Sequence, residues 1–94
     1  MRYRPRTDAN QALLVALMRE RGMTVQSLAM VGSGVPDLLV GWERKNYLFE
    51  VKDPAQPPSR RRLTMDEVAF HHLWRGQVGI VETIDDVLRV LELQ

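Results

Sequence analysis

Apolar positions fall into short blocks whose spacing changes along the chain. Leu13, Leu14, Leu17 and Met18 recur at helical intervals, while Arg19 and Glu20 lie off the centre of that stripe. Thr7 or Asp8 is placed to cap the start of this helix, and Gly22 to stop it just beyond Arg21. The pattern then becomes extended. Val25 to Val31 reads as a strand, broken by Gly32-Ser33-Gly34. Pro36 to Trp42 and Tyr47 to Lys52 are two further apolar runs, joined by the polar turn Glu43-Arg44-Lys45-Asn46, which predicts a hairpin. Pro54 to Arg62 carries three prolines and three arginines and reads as a loop. Thr64 and Glu67 have capping-box spacing and open a second helix to about Arg75, with Met65, Val68 and Leu73 among its apolar positions and Gly76 closing it. Val78 to Glu82 is a fourth strand, and Thr83 or Asp85 begins a last helix bearing Val87, Leu88 and Leu91. The predicted order is α-β-β-β-α-β-α, an α/β fold in one domain over residues 1–94, with no internal repeat.

Composition narrows the setting. A chain of 94 residues has room for one modest core. Its 45% apolar and 27% charged residues are the ordinary balance of a globular protein, so neither disorder nor a fibrous repeat is indicated. No apolar run approaches the roughly 20 residues that span a bilayer. The basic arm over residues 1–6 is not followed by the apolar stretch of a secretory signal. Cysteine is absent, which excludes disulfides and thiolate metal sites and fits a reducing, cytoplasmic setting. Any metal must therefore be held by oxygen or imidazole ligands. The net charge of +1 says little, but its distribution is uneven: Arg2, Arg4 and Arg6 open the chain, and Arg60, Arg61 and Arg62 end the Pro-rich loop. On composition alone both clusters read first as solvated surface; the alternative is a grip on phosphates.

The stretch that could carry chemistry is Gly34-Val35-Pro36-Asp37, followed thirteen positions later by Glu50 in Glu50-Val51-Lys52. Residues two apart on a strand share a face, so Glu50 and Lys52 point one way with Leu48, and Tyr47, Phe49 and Val51 the other. Any turn with an even number of residues brings Asp37 onto the first of these faces. A register centred between Arg44 and Lys45 would set Asp37 opposite Lys52 and diagonal to Glu50. Two carboxylates held close repel, and proton affinity rises at one of them unless a cation lies between. A hard divalent ion takes oxygen ligands, polarises a phosphoryl oxygen and acidifies water. A lysine beside it can orient the attacking water or offset charge developing at phosphorus. By spacing alone, a Glu and a Lys alternating with apolar residues also describe any half-exposed strand.

Pro36-Asp37 with Glu50-Val51-Lys52 at the end of the next strand resembles the PD-(D/E)XK nuclease superfamily, and within it the compact VRR-NUC nucleases of phages and prophages, similar in layout to Holliday junction resolvases. Gly34 to Gly41, Leu48 to Asp53, Leu63-Thr64 through Glu67, and Phe70-His71 all fit that pattern, so the resemblance spans nearly the whole chain. It implies a restriction-endonuclease-like αβββαβ core with a mixed four-stranded sheet and an extra C-terminal helix. It also implies a metal-dependent endonuclease, using Mg²⁺ or Mn²⁺, that hydrolyses phosphodiester bonds in DNA, structured or branched DNA included, in a phage- or prophage-encoded protein. The implied metal ligands are Asp37, Glu50 and the carbonyl of Val51, with one or two ions left open, and Lys52 is the implied catalytic lysine. Relatives often carry a Glu on the first helix; the corresponding position here is Gln11, a neutral amide that weakens the case for a second ion and could equally bond to backbone. Glu67 falls where relatives carry Gln or Glu and is an auxiliary residue, its capping role explaining it equally well. A homodimer is the implied assembly, with DNA as partner and no organic cofactor.

His71 and His72 are adjacent on a helix and diverge by about 100°, so they cannot chelate one ion together. Trp42, Trp74, Tyr47 and Phe70 read as core or dimer-interface residues rather than base-stacking platforms. Close to the catalytic strand, Arg60, Arg61 and Arg62, with Arg4 and Arg6, read as nucleic-acid contacts. The alternative function is a non-catalytic nucleic-acid-binding module that retains the nuclease fold, and a third is an assembly protein pairing through an apolar surface.

Overall fold

Alternation of apolar side chains decides how each strand faces, and burial follows that alternation. The structure, a computed structural model, describes residues 9–92; Arg2, Arg4, Arg6 and the cap expected at Thr7 or Asp8 lie outside them. The elements are α1 (Ala9–Glu20), β1 (Thr24–Ser27), β2 (Leu38–Trp42), β3 (Lys45–Val51), α2 (Met65–Leu73), β4 (Val78–Val81) and α3 (Ile84–Glu92), with one short 3-10 turn at Pro58–Arg60. The order matches the sequence expectation. The strands form one mixed four-stranded sheet in the order β1-β2-β3-β4, antiparallel except for the parallel β3–β4 pair.

One face of the sheet carries the core. Leu38 and Val40 of β2, Tyr47, Phe49 and Val51 of β3 and Val81 of β4 pack against Leu14 and Met18 of α1 and Val87 and Leu91 of α3. Tyr47 and Phe49, two apart on β3, stack with ring centroids 5.9 Å apart. The other face bears Leu39, Leu48, Val78 and Ile80, and α2 lies over part of it. Within α1 the inward stripe is Gln11, Leu14 and Met18; Leu13, expected to share it, is 58% exposed.

Three boundaries depart from the sequence reading. β1 stops at Ser27 rather than near Val31, because after Leu28 donates to the carbonyl of Asp37 (2.7 Å) the chain turns, with Val31 N–H bonded back to Leu28. The β2–β3 connection is two residues, not four. Glu43 (φ 50°) and Arg44 (φ 66°) both take positive φ, the geometry of a tight primed hairpin turn. Neither residue favours that conformation, so sequence conceals it. α2 ends at Leu73, and Met65, Val68 and Leu73 are outward-facing and exposed. Its sheetward residues are instead Glu67, Phe70 and His71. Thr64 caps α2 with the reciprocal Glu67 bond of a capping box, and Thr83 opens α3, exchanging hydrogen bonds with Asp86.

Candidate functional site

The shorter hairpin turn changes who faces whom. Leu38 pairs with Phe49 and Trp42 with Lys45. Continued by one step, this register sets Asp37 opposite Glu50, not opposite Lys52 as the four-residue turn implied. Because both turns are even-numbered, the face is unchanged: Asp37, Glu50 and Lys52 all leave the sheet on the α2 side. A further step sets Pro36 opposite Val51. Proline has no N–H to give, so the ladder offers no donor to the Val51 carbonyl. The Val51 N–H, on the same side of the strand, is taken by Asp37 Oδ2 at 2.8 Å. Asp37 is thus held by its own carbonyl through Leu28 and by its carboxylate through Val51.

Four charged groups meet here. Lys52 Nζ lies 3.5 Å from Glu50 Oε2 and 3.3 Å from Glu67 Oε1, with the Lys52 and Glu50 side chains only 13% and 5% exposed. Glu67 Oε1 also accepts the Thr64 N–H at 2.9 Å, so one carboxylate both caps α2 and steadies the lysine. Glu50 Oε1 is buried and has no hydrogen-bond partner. Burial, reinforced by the charges of Asp37 and Glu67, pushes the Glu50 carboxyl up to about 8. Burial also raises Asp37, against the lowering effect of the Val51 N–H. Glu67 is the contrast: burial would raise it, but the Thr64 N–H and Lys52 outweigh burial and hold it below the usual carboxylate range. Three carboxylates around one ammonium leave negative charge in excess, in a place with little water to screen it.

The donor set suits a hard cation. Asp37 and Glu50 supply carboxylate oxygens, one of them buried and unpartnered, and Val51 a carbonyl the sheet does not claim. Among the described residues no group of three or more His, Asp or Glu is arranged to hold an ion. Mg²⁺ is usually held by one or two carboxylates and otherwise by water and substrate oxygens.

Other expected residues are distributed around this centre. Gln11 is buried on α1 and edges a hollow with Val15, Val25, Ser27 and Leu38, on the core side of the sheet. Arg61 pairs with Glu82 at 3.2 Å, whereas Arg60 and Arg62 are exposed. His71, one turn beyond Glu67, is half-buried, with Nε2 unpartnered and burial lowering its pKa; His72 is exposed. One contributor escaped sequence reasoning: Asn10 Nδ2 donates to the carbonyls of Lys52 (2.9 Å) and Glu82 (3.0 Å), tying the ends of β3 and β4 to the first turn of α1. A lone Asn near a helix start carries no signal that would have distinguished it. Set beside known protein families, curated proteins and solved structures, the chain matches none of them.

Proposed function

We propose that this protein is a Mg²⁺- or Mn²⁺-dependent endonuclease that hydrolyses phosphodiester bonds in DNA, with the restriction-endonuclease-like core of the PD-(D/E)XK superfamily and the compact layout of the VRR-NUC type. The observation that carries the reading is Glu50 held 3.5 Å from Lys52, with a buried Glu50 oxygen that no protein group satisfies, and Asp37 fixed beside them on the Val51 N–H. Asp37, Glu50 and the Val51 carbonyl would hold the ion. When bound, it supplies a polarised phosphoryl oxygen and an acidified water. Lys52, fixed between Glu50 and Glu67, directs its ammonium protons at the attacking water or at a non-bridging oxygen, where negative charge grows as the new P–O bond forms and the ester P–O bond breaks. Arg60 and Arg62, exposed at the end of the loop after β3, grip the flanking backbone, with Arg4 and Arg6 in the same role. A homodimer is the proposed assembly, favoured by the exposed apolar residues Met65, Val68 and Leu73 on the outer side of α2; light scattering at micromolar concentration should report twice the chain mass.

Plasmid, linear and four-way-junction DNA incubated with Mg²⁺ or Mn²⁺ test the activity. Cleavage by wild type and its loss in Asp37→Ala and Lys52→Ala are expected. If every substrate stays intact while salt-sensitive binding persists, the protein is instead a nucleic-acid-binding module.

A further inference from the structure

On the α2 side of the sheet, directly along the strands from the carboxylates, lies a cavity of about 480 Å³. Its floor is Leu39, two residues from Asp37 on β2, and Leu48, two residues from Glu50 on β3. One two-residue step along a strand is roughly 6.6 Å, so floor and carboxylates are neighbours on one surface. Its wall is Phe70 and Trp74 of the α2 end, stacked with centroids 5.0 Å apart and ring planes 15° from parallel. Trp74 is 48% exposed and Leu39 37%, so neither is the core residue its type suggested. Amides stand among the lining residues: Asn46, and Gln77, whose Nε2 donates to the Asn46 carbonyl at 2.7 Å.

We infer that this cavity receives one unpaired nucleobase of the substrate strand, stacked against Trp74, while the adjoining phosphodiester lies at Asp37, Glu50 and Lys52. The inference rests on the nucleic-acid reading above and narrows it to strands with an unstacked base beside the cut. The volume lies within the range of small-ligand pockets, roughly 300–1,000 Å³, and the lining has their composition, apolar and aromatic with a few polar groups. Aromatic faces accept any base, and amides can bond its edge. The lining holds no charged residue, and Arg75, exposed and next to Trp74 in sequence, is basic. An anionic strand therefore meets no carboxylate in the lining and one positive charge beside Trp74. A concave pocket between helix and sheet also suits a flat ring better than the broad face of a second copy.

Trp74 emission is the readout, taken in the Trp42→Phe protein, where Trp74 is the remaining tryptophan. Titrations in EDTA with a single-stranded thymidine oligonucleotide, its duplex and an abasic oligomer of the same length should quench strongly only with the first. Without that substitution, anisotropy of a labelled single strand should show Trp74→Ala weakening binding by between about 5-fold and 100-fold, with Trp74→Phe keeping most of it. Equal quenching by the abasic oligomer, unchanged binding by Trp74→Ala, or emission that responds only to protein concentration, as a second copy would cause, overturns the inference. Cleavage plays no part in EDTA. Base-dependent quenching without cutting activity would remove the catalytic reading alone, and cutting without base dependence would remove this inference alone.

Discussion

Gly34 packs against the backbone of Asp66 so closely that a Cβ at position 34 would stand 2.3 Å from the Asp66 carbonyl oxygen. Gly34 also holds φ at +79°, as part of a Gly32-Ser33-Gly34 run in which every residue has positive φ. The glycine-rich bend is therefore the seat on which α2 rests, and α2 carries Glu67 to Lys52. Gly34→Ala combines a backbone clash with left-handed strain of about 1–2 kcal/mol, so a destabilisation of at least about 2 kcal/mol is expected in urea unfolding. The Glu67–Lys52 contact should loosen with it. A variant as stable and as active as wild type would show that α2 does not depend on this seat.

Glu67 has two jobs that one substitution separates. Gln keeps the capping-box bond to the Thr64 N–H but loses the charge that faces Lys52 at 3.3 Å. Glu67→Gln should therefore unfold within about 1 kcal/mol of wild type, while Glu67→Ala loses roughly 1 kcal/mol more through the cap. Cleavage should fall in both, because a lysine displaced by about 1 Å costs on the order of 100-fold. Equal activity of Glu67→Gln and wild type would assign Glu67 to the helix end alone.

The same residues mark what sequence could and could not disclose. Periodicity placed all four strands and three helices in order, since alternation and the helical stripe are local properties. The common face of Asp37, Glu50 and Lys52 was legible too, because it depends only on the parity of the turn. Their partners were not. Whether Asp37 meets Lys52 or Glu50 depends on Glu43 and Arg44 adopting positive φ, which neither side chain advertises. The inward face of α2 left no clear local pattern for a similar reason: Met65, Val68 and Leu73 are apolar yet exposed, while Glu67 turns inward to a lysine from another element. Contacts such as Asn10 to Lys52 and Glu82, or Arg61 to Glu82, join residues far apart in the chain and leave no local trace.

Pro36 offers a direct handle on the Val51 carbonyl. In Pro36→Ala the new N–H faces that carbonyl and can complete the ladder. The protein should still fold, with a cost on the order of 1 kcal/mol for the lost packing of a fully buried ring. If the carbonyl is a ligand, calorimetry should show Mn²⁺ binding weakened by roughly 10-fold or more, the range seen when a ligand's surroundings are altered. Unchanged affinity would remove Val51 from the ligand set and leave Asp37 and Glu50.

Glu50 is raised from its ordinary 4.5 to about 8, first by burial and then by the charges of Asp37 and Glu67. A carboxyl that binds its proton more tightly when folded adds stability fully below its unfolded pKa, and that stability is lost as pH rises through the folded value. Asp37 shifts in the same direction, whereas the lowered Glu67 acts in the acid range, losing its contribution as pH falls. Without divalent ions, the urea midpoint should therefore decline between about pH 5 and about pH 9. Glu50→Gln should flatten the decline, since a neutral amide has no proton to lose. Saturating Mg²⁺ should restore the midpoint at the alkaline end, because the ion takes the place of the departing proton and binds only the folded chain. A midpoint that keeps the same slope in Glu50→Gln would mean that another group carries the titration, and that Glu50 does not sit in the charged, water-poor corner that a metal ion would neutralise.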